Sequence, residues 1–405
     1  MGALQVDVRE YGNRIEHLVC LFFSETEPFA TAFVCVIRNY NTKAAGQRYA
    51  SREHGKASKS GVLGSQCRRS GRQHFGPGQS RVGHDVMKAI VYTRYGALDV
   101  LRLQERDKPS PRDNEVLIRV RASSVNALDW RQFTMPLMFV RLLRGGFREP
   151  QDTSFGADVS GHVEAVGAAV TQFRPGDEVF GLSRGAFAEY VCAVEDRCAL
   201  KPANLSFEAA AAVPLAALTA LQGLRDHGQI KRGQKVLVNG AGGGVGTFAV
   251  QIAKYFGAEV TAVCSPQNVD VVRSIGADLV IDYTREDFTR SGPRYDLIAA
   301  VNGYHSMLAY RRALSPNGIC VVLGGAMAQV LPPIFLGPLV SRFGDKQIRM
   351  MMTRPNQKDL LLLKQLLESG AIVPVIDRSY PLPEAVDAVR YLLGGHARGK
   401  VVICV

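Results

Sequence analysis

The strongest chemical feature of this sequence is a run of glycines between a strand pattern and a helix pattern. Val236–Asn239 is short and apolar, as in a buried strand, and Thr247–Phe256 places its apolar side chains on one helical face. Read as A-x-G-x-x-G, Ala241 turns the chain, Gly243 lets a pyrophosphate approach the backbone, and Gly246 lets the helix pack closely. A merely flexible loop is the alternative. The strand–helix context favours a nucleotide site, because a helix N-terminus attracts phosphate.

The end of the next strand indicates which nucleotide this site prefers. An NAD-selective site carries Asp or Glu about 20 residues after the glycines, where it accepts from the ribose 2′-hydroxyl. Here Val263–Asn268 contains no carboxylate, and Asp270 lies too far along the chain. Ser265, with or without Arg273, would tolerate a 2′-phosphate. The sequence therefore favours NADP(H). Whether Arg273 contacts the 2′-phosphate or is a solvated helix residue stays open at this point.

The segments around the glycines alternate between strands and helices. After Val236–Asn239 the strand pattern returns in four segments: Glu259–Cys264, Leu279–Asp282, Asp296–Val301 and Ile319–Leu323. Further on come a Leu-rich helix at Lys358–Ser369, a helix ending near Gly394 and a last strand at Lys400–Val405. This alternation predicts parallel βαβ units in a doubly wound α/β sheet.

The region before residue 201 follows a different pattern. From Glu115, Val116, Ile118 and Val120 alternate with arginines, as in a half-buried strand. Short strands punctuated by Gly and Pro follow at Val159–Val166, Glu178–Gly181 and Phe187–Ala193, and Ser206–His227 reads as a helix interrupted at Pro214. We therefore predict an antiparallel β domain ahead of the α/β domain.

Composition excludes several classes of protein. The 405 residues include 46% hydrophobic and 21% charged residues, which is an ordinary globular balance. The sequence contains no run of 18 or more apolar residues, so it predicts no transmembrane helix. The eight cysteines never form C-x-x-C, which argues against a zinc ribbon or a disulfide scaffold and favours reduced thiols in a cytoplasmic protein. The net charge of +12 could attract nucleic acid, an acidic membrane surface or a phosphate-bearing ligand.

Residues 1–86 differ from the rest of the chain. They carry 12 basic and 7 acidic residues, a net charge of +5, which leaves +7 for residues 87–405. Residues 39–85 are polar and lack apolar periodicity, so we expect disorder there. The extension is expected to be disordered or not part of the native chain, because Met87 opens the first regular strand. A basic binding tail and an organellar transit peptide are alternatives, although Asp7, Glu10 and Glu16 spoil an acid-poor transit pattern.

Several segments together resemble the medium-chain dehydrogenase/reductase superfamily. Asp158–Val179 contains Gly161-His-Val-Glu-Ala-Val-Gly and Arg174-Pro-Gly-Asp-Glu-Val, which are similar to motifs of that superfamily. Four further segments and the glycine run resemble its zinc-free quinone oxidoreductase branch, with zeta-crystallin-like and reticulon-4-interacting-protein-like reductases: Ser123–Asp129, Leu215–Leu221, Gly276–Tyr283 and His396–Lys400. The resemblance runs from Met87 to Val405.

The resemblance implies two domains and a set of cofactor contacts. A GroES-like catalytic domain would comprise residues 87–211 and 343–405, and a Rossmann NADP(H)-binding domain residues 212–342, in a homodimer. Around the cofactor the family pattern places Ala241, Gly243, Gly244, Val245, Gly246, Ser265, Tyr283, Asn302, His396, Ala397 and Arg398. Ordinary packing at the end of a strand is the alternative for Tyr283. Ala300 and Asn302 stand where relatives usually carry Asp and Gly, so the acceptor preference is expected to differ.

The resemblance also implies that no metal is bound. Zinc-dependent relatives carry a Cys ligand at the position of Asn126, a Gly-His-Glu motif at Gly156-Ala-Asp158 and a Cys near Leu215. Catalytic zinc needs three such protein ligands. His162 remains, but a single His on a strand is more often a packed or surface residue.

These features predict a zinc-independent transfer of hydride from NADPH to a quinone or an α,β-unsaturated carbonyl. Asn126 would donate to the developing oxyanion, with Asp129 beside the nicotinamide; an Asx-type turn is the alternative for both residues. The same scaffold could serve a metal-free alcohol dehydrogenase-like enzyme or an enoyl reductase. A nucleotide-regulated RNA-binding protein is a rival of another class, but no aromatic-interleaved basic stripe supports it.

Overall fold

The computed structural model describes residues 85–134, 150, 153–291, 295–303, 305–325 and 344–405, together with residues 329, 330, 333 and 337. The predicted disorder of residues 39–85 therefore falls, except for Asp85, outside the described residues. Val86, the last residue of the predicted extension, is described and begins a strand in which it pairs with Asp107. The alternatives for residues 1–84 lie outside the described residues.

The strands are β1 (Val86–Tyr92), β2 (Leu101–Asp107), β3 (Glu115–Val125), β4 (Asp158–Val166), β5 (Glu178–Leu182), β6 (Tyr190–Val194), β7 (Cys198–Leu200), β8 (Lys235–Asn239), β9 (Glu259–Cys264), β10 (Leu279–Asp282), β11 (Tyr295–Ala300), β12 (Leu314–Val322), β13 (Gln347–Met350), β14 (Ile376–Pro381) and β15 (Lys400–Cys404). The helices are α1 (Ala127–Thr134), α2 (Phe207–Ala211), α3 (Pro214–Gln222), α4 (Gly244–Tyr255), α5 (Val269–Ser274), α6 (Phe288–Ser291), α7 (Met307–Ala313), α8 (Gln357–Glu368) and α9 (Ala385–Leu393). Single 3₁₀ turns lie at Leu98–Val100, Glu195–Arg197, Pro266–Asn268 and Leu382–Glu384, and a π turn at Gly223–His227.

The α/β half contains a parallel sheet in the order β10-β9-β8-β11-β12-β13. Counted from β8, this is the doubly wound order 3-2-1-4-5-6, in which the chain reverses direction across the sheet between β8 and β11. The predicted doubly wound sheet is confirmed. Ligands of such sheets bind at the carboxyl ends of the strands beside this switch point.

The other large sheet runs β14-β15-β3-β4-β5-β7, with β6 also paired to β3. Its pairs are antiparallel except β14–β15, which run parallel. The predicted antiparallel domain is therefore confirmed with one parallel pair at its edge. β3 lies at the centre because its long, largely buried stretch accepts partners on both sides. The last strand, β15, pairs with the carboxyl end of β3, so the chain terminus reaches the middle of this sheet.

Helix α3 packs against α4 and also against β5 of the antiparallel sheet, whose Phe180 and Leu182 belong to the same apolar core. Ala217 and Leu221 of α3 and Phe248 and Ile252 of α4 are fully buried in the same cluster of side chains. The helix predicted over Ser206–His227 is in fact α2 and α3 followed by the π turn, because Pro214 at the start of α3 begins a new helix.

Candidate active site

The glycine loop, residues 240–246, connects β8 to α4 at the switch point. Gly240 has φ of 88°, a left-handed conformation that glycine adopts without strain. The N–H groups of Gly240 and Ala241 donate to the carbonyl oxygen of Val263 at 3.0 and 2.9 Å, which ties the loop to β9. The sequence motif predicts the turn at Ala241. The structure places it one residue earlier, because a Cβ disfavours that backbone conformation.

Two glycines of this loop serve different purposes. A Cβ on Gly246 would lie 2.1 Å from the carbonyl oxygen of Gly240, so this glycine allows close packing of helix and strand, as predicted. A Cβ on Gly243 would meet nothing closer than 3.9 Å, although its backbone is extended and accepts any residue. Protein packing therefore leaves open space at Gly243, directly before the N-terminus of α4. A pyrophosphate fits this space and the free N–H groups behind it.

The adenosine side of the predicted site lies at the ends of β9 and β10. Asp282 pairs with Cys264 at the end of these strands, so Ser265 and Tyr283 follow next to each other. Asn268 donates through Nδ2 to the Ser265 hydroxyl at 3.1 Å, and Tyr283 is exposed. Arg273 is exposed on α5, with Nη1 3.7 Å from Asp270, so its geometry favours a solvated helix residue.

Asn302 lies on the other side of the switch point, after β11. Its N–H donates to the carbonyl oxygen of Asn239 at 3.1 Å, and its backbone lies against Gly240. The buried Asn239 side chain donates to the carbonyl oxygen of Gly303 at 2.9 Å, which anchors this loop. Sequence reasoning missed Asn239, because a polar residue at the end of a strand gave no signal beyond its position.

The turn at His396, Ala397 and Arg398 reaches the same loop from the catalytic half. Gly399, which has φ of 112°, forms a parallel bridge with Gly243. The Arg398 N–H donates to Asp377 Oδ2 at 3.0 Å, which fixes the backbone of the turn. The structure therefore brings the turn and the glycine loop together, although more than 150 residues separate them in sequence.

A group of buried polar side chains, here called the amide cluster, lies where β3, β4 and β15 meet. Its members are Ser124, Asn126, Asp129, Asp158 and Lys400. Asp158 Oδ2 accepts from Ser124 Oγ at 2.5 Å and from Asn126 Nδ2 at 2.8 Å, and it lies 3.2 Å from Lys400 Nζ. Lys400 Nζ also donates to Asn126 Oδ1 at 2.6 Å. Asp158 and Lys400 lie within the motifs that carry the family resemblance, but the sequence predicts no role in the site for either of them.

The Asn126 amide is fully engaged by protein groups in this arrangement. Its second Nδ2 hydrogen donates to the carbonyl oxygen of Ser124 at 3.2 Å. The predicted donation to a substrate oxyanion therefore requires one of these two bonds to open. The bond to Ser124 is the longer, and its acceptor is uncharged, so it is the weaker of the two.

Asp129 is completely buried at the start of α1. Its Oδ2 accepts from the Asn126 N–H at 2.7 Å, and its own N–H donates to the Asn126 carbonyl oxygen at 3.1 Å. Oδ1 has no hydrogen-bond partner among the described residues. Burial raises the pKa of this carboxyl to about 7. This contact is the backward half of a capping box, with Asn126 before the first residue of α1 and Asp129 in its first turn, and not the Asx-type turn considered as the alternative. It fixes the backbone of Asn126.

The positions of zinc ligands in metal-dependent relatives also converge here. These positions are occupied by Asn126, Ala157 and Leu215. The Leu215 N–H donates to Asp158 Oδ1 at 2.8 Å and Asn126 Nδ2 donates to Asp158 Oδ2, so two of the positions contact the carboxylate that follows the third. Within the described part of the chain, no three His, Cys, Asp or Glu side chains come together as a metal site requires. His162 lies elsewhere on β4, stacked on Phe207 and 3.7 Å from Glu178.

Comparisons with known proteins agree with this geometry. Two family models match: alcohol dehydrogenase GroES-like domain over residues 112–203 and zinc-binding dehydrogenase over residues 275–403. The chain is 38% identical over 335 residues to a 2-methylene-furan-3-one reductase of Solanum lycopersicum, covering 78% of this chain and 79% of that protein. It is 35% identical over 335 residues to a chloroplastic NADPH-dependent alkenal/one oxidoreductase of Arabidopsis thaliana, with the same coverage. The solved quinone oxidoreductase of Coxiella burnetii superposes with a TM-score of 0.71 at 30% identity, covering 79% of this chain and 100% of that one.

The prediction of a cytoplasmic protein is wrong. Relatives from Arabidopsis thaliana and Spinacia oleracea are named chloroplastic, and one from Mus musculus is named mitochondrial, which points to an organelle. Unpaired cysteines indicated a reducing compartment, but that chemistry does not distinguish the cytoplasm from the interior of an organelle. Among the described helices, none has the length and apolar character needed to cross a membrane.

Proposed function

The chain belongs to the quinone oxidoreductase-like branch of the medium-chain dehydrogenase/reductase superfamily, and from this membership we propose that it reduces a quinone or an α,β-unsaturated carbonyl with NADPH. The observation that carries the proposal is the open space at Gly243 in front of the N-terminus of α4. It lies at the switch point of a doubly wound sheet and beside a buried polar cluster. Relatives named as NADPH-dependent and quinone oxidoreductases support the same chemistry.

The cofactor contacts divide along the crevice. Ala241, Gly243, Gly244, Val245 and Gly246 would hold the pyrophosphate through backbone N–H groups and the partial charge of the helix terminus. Ser265 and Tyr283 would contact the adenosine ribose and its 2′-phosphate. Asn302 would border the nicotinamide, and His396, Ala397 and Arg398 would close over the phosphates. The bridge between Gly399 and Gly243 supports this last placement.

When bound, NADPH supplies a hydride from C4 of its nicotinamide. The contribution of the chain is then to position the acceptor and to stabilise the negative charge that develops on its oxygen. Asn126 is the donor that we propose for this oxygen, with the hydrogen now shared with Ser124 redirected to the substrate. Asp129 holds the backbone of Asn126 during this change, and solvent supplies the proton that completes the reduction.

We further propose that the reaction needs no zinc. In the amide cluster, Asp158 is committed to Ser124, Asn126, Leu215 and Lys400, and the ammonium of Lys400 supplies positive charge beside it. Because the ammonium of Lys400 already neutralises this carboxylate, binding a metal ion there would require the ion pair to be broken.

The domain limits and the assembly are also proposals. The proposed division into residues 87–211 plus 343–405 and residues 212–342 matches the two large sheets except at β13. This strand lies within 343–405 but pairs with β12 in the parallel sheet, whereas β14 and β15 join the catalytic sheet. A homodimer is proposed from the family resemblance.

An acceptor screen tests this function. NADPH oxidation is followed with a quinone, an enone, an enoyl thioester and a ketone, with NADH in parallel and with a chelator added. We expect acceptor-dependent oxidation of NADPH with the quinone or the enone, a preference over NADH of at least about tenfold, and no effect of the chelator. Activity confined to the ketone or the thioester, or lost with the chelator, would contradict the proposal.

A further inference from the structure

We propose that Lys400 is a positioning residue for this reduction, because it fixes the orientation of the Asn126 amide. The inference rests on the proposed function and names a residue that the function itself does not require. It follows from the buried contacts at the two ends of the Asn126 side chain.

The two neighbours of the amide admit only one orientation. The ammonium of Lys400 has donors and no acceptor, and it lies 2.6 Å from Oδ1. The carboxylate of Asp158 has acceptors and no donor when ionised, and it lies 2.8 Å from Nδ2. A reversed amide would place NH₂ against the ammonium and oxygen against the carboxylate. The ion pair, together with the Ser124 carbonyl oxygen that accepts from Nδ2, therefore determines that Nδ2, the end that donates, faces away from Lys400.

The ammonium also polarises this amide. A hydrogen bond from a charged donor to Oδ1 withdraws electron density from the amide group, so its N–H groups become stronger donors. Since one of these N–H groups is the proposed donor to the substrate oxygen, Lys400 acts on the reaction through Asn126.

Lys400 itself does not touch the substrate in this arrangement. Its side chain is 3% exposed, and its three hydrogens have acceptors in Asn126 Oδ1, Asp158 Oδ2 and, at 3.5 Å, the carbonyl oxygen of Val125. Burying this charge is costly, and an apolar pair would fill the same space without that cost. Orientation of the amide gives the ion pair a function that an apolar pair could not perform.

The stem of Lys400 connects this amide to the glycine loop. A Cβ on Gly244 would lie 2.7 Å from Lys400 Cδ, and the preceding Gly399 pairs with Gly243. The position of the ammonium is therefore set by the same backbone that would hold the cofactor phosphates. One side chain spans the distance from the cofactor loop to the active-site amide.

The test uses a paired substitution that keeps the cluster neutral. In the double variant Asp158→Asn with Lys400→Met, the new amide at 158 keeps an oxygen for the Leu215 N–H and presents NH₂ to Asn126. The NH₂ of residue 158 then calls for the Asn126 oxygen, while the Ser124 carbonyl oxygen still calls for its NH₂, so the orientation of the amide is no longer fixed. Lys400→Arg retains an all-donor cation and with it the native orientation. Lys254→Met is the matched control, because it removes an exposed Lys–Asp pair at the far end of α4.

We expect the double variant to fold and to bind NADPH with an affinity within about threefold of the wild type, while kcat falls on the order of 100-fold, as for a misplaced catalytic group. KM for the acceptor should change little, Lys400→Arg should recover most of kcat, and Lys254→Met should match the wild type. A double variant that keeps kcat within about threefold of the wild type would overturn the positioning role of Lys400 but not the proposed function. A double variant that loses NADPH binding as well, or Lys400→Arg without recovery, would also overturn it. Wild-type protein that oxidises NADPH with none of the acceptors would overturn the proposed function, and this inference with it.

Discussion

The glycine loop and the amide cluster meet at Lys400, yet they are built in different ways. The loop presents backbone N–H groups and open space, and its charge comes from the terminus of α4. The amide cluster is filled with side chains, and its charges lie on Asp158 and Lys400, both almost completely buried. Substitutions that add side-chain atoms should therefore perturb the loop, and substitutions that remove one partner of the ion pair should perturb the amide cluster.

The largest effect expected from this contrast is the loss of Asp158. Asp158→Ala would leave the ammonium of Lys400 buried without its carboxylate, which costs about 3–5 kcal/mol of unfolding free energy. Asp278→Ala is the control, since its pair with Lys254 is partly exposed and such pairs contribute no more than about 1 kcal/mol. Urea unfolding of both variants measures the difference. Equal losses would mean that the cluster is not held by its buried charges.

The next effect is a dependence of stability on pH that originates in Asp129. Because burial raises the pKa of its carboxyl from 3.8 to about 7, the folded protein holds a proton there that the unfolded chain releases from about pH 4 upward. The contribution of this group to the free energy of unfolding therefore declines between about pH 4 and pH 7, by up to ~4 kcal/mol, and stays constant above.

Asp129→Asn removes the ionisation and keeps an oxygen for the Asn126 N–H. The stability of this variant relative to the wild type should rise from about pH 4 to pH 7 and then level off, as measured by urea unfolding at several pH values. A difference that is independent of pH would show that Asp129 ionises normally in the folded protein.

The smallest effect on stability separates two glycines of the loop. Gly246→Ala places a Cβ 2.1 Å from a backbone oxygen and should lower the free energy of unfolding by roughly 1–3 kcal/mol. The same variant should also lose NADPH binding. Gly243→Val points into open space, so the melting temperature of the protein without NADPH should stay near that of the wild type while NADPH binding is lost. Thermal melting and NADPH fluorescence titration check both variants. Unchanged NADPH affinity in Gly243→Val would mean that the space at Gly243 does not hold the cofactor.

The same contrast explains what the sequence could predict. The glycine loop is contiguous, so its spacing and the flanking strand and helix were readable, and the predicted doubly wound sheet is confirmed. The turn residue is Gly240 and not the predicted Ala241, because only glycine adopts the left-handed conformation without strain. The helix begins at Gly244 and not at the predicted Thr247, because glycines carry no apolar side chain by which a helical face could be recognised.

The amide cluster offered no such spacing. Lys400 and Asn126 lie 274 residues apart and meet because β15 pairs antiparallel with β3, with Val401 opposite Val125. This register depends on the packing of both halves of the chain, which no local pattern records. For the same reason the sequence indicated Asn126 as a donor but not that both of its amide hydrogens are already engaged.

On the proposed function, hydride from NADPH would reach an electron-poor carbon beside Asn126. This transfer is tested most directly by turning over an enone with NADPH that carries deuterium at C4, in either of its two positions, and locating the label in the product. With one of the two labelled cofactors, we expect deuterium on the carbon β to the carbonyl, with solvent hydrogen on the α carbon. A reduced product that carries no deuterium from either cofactor would contradict direct hydride transfer and with it this account of the site.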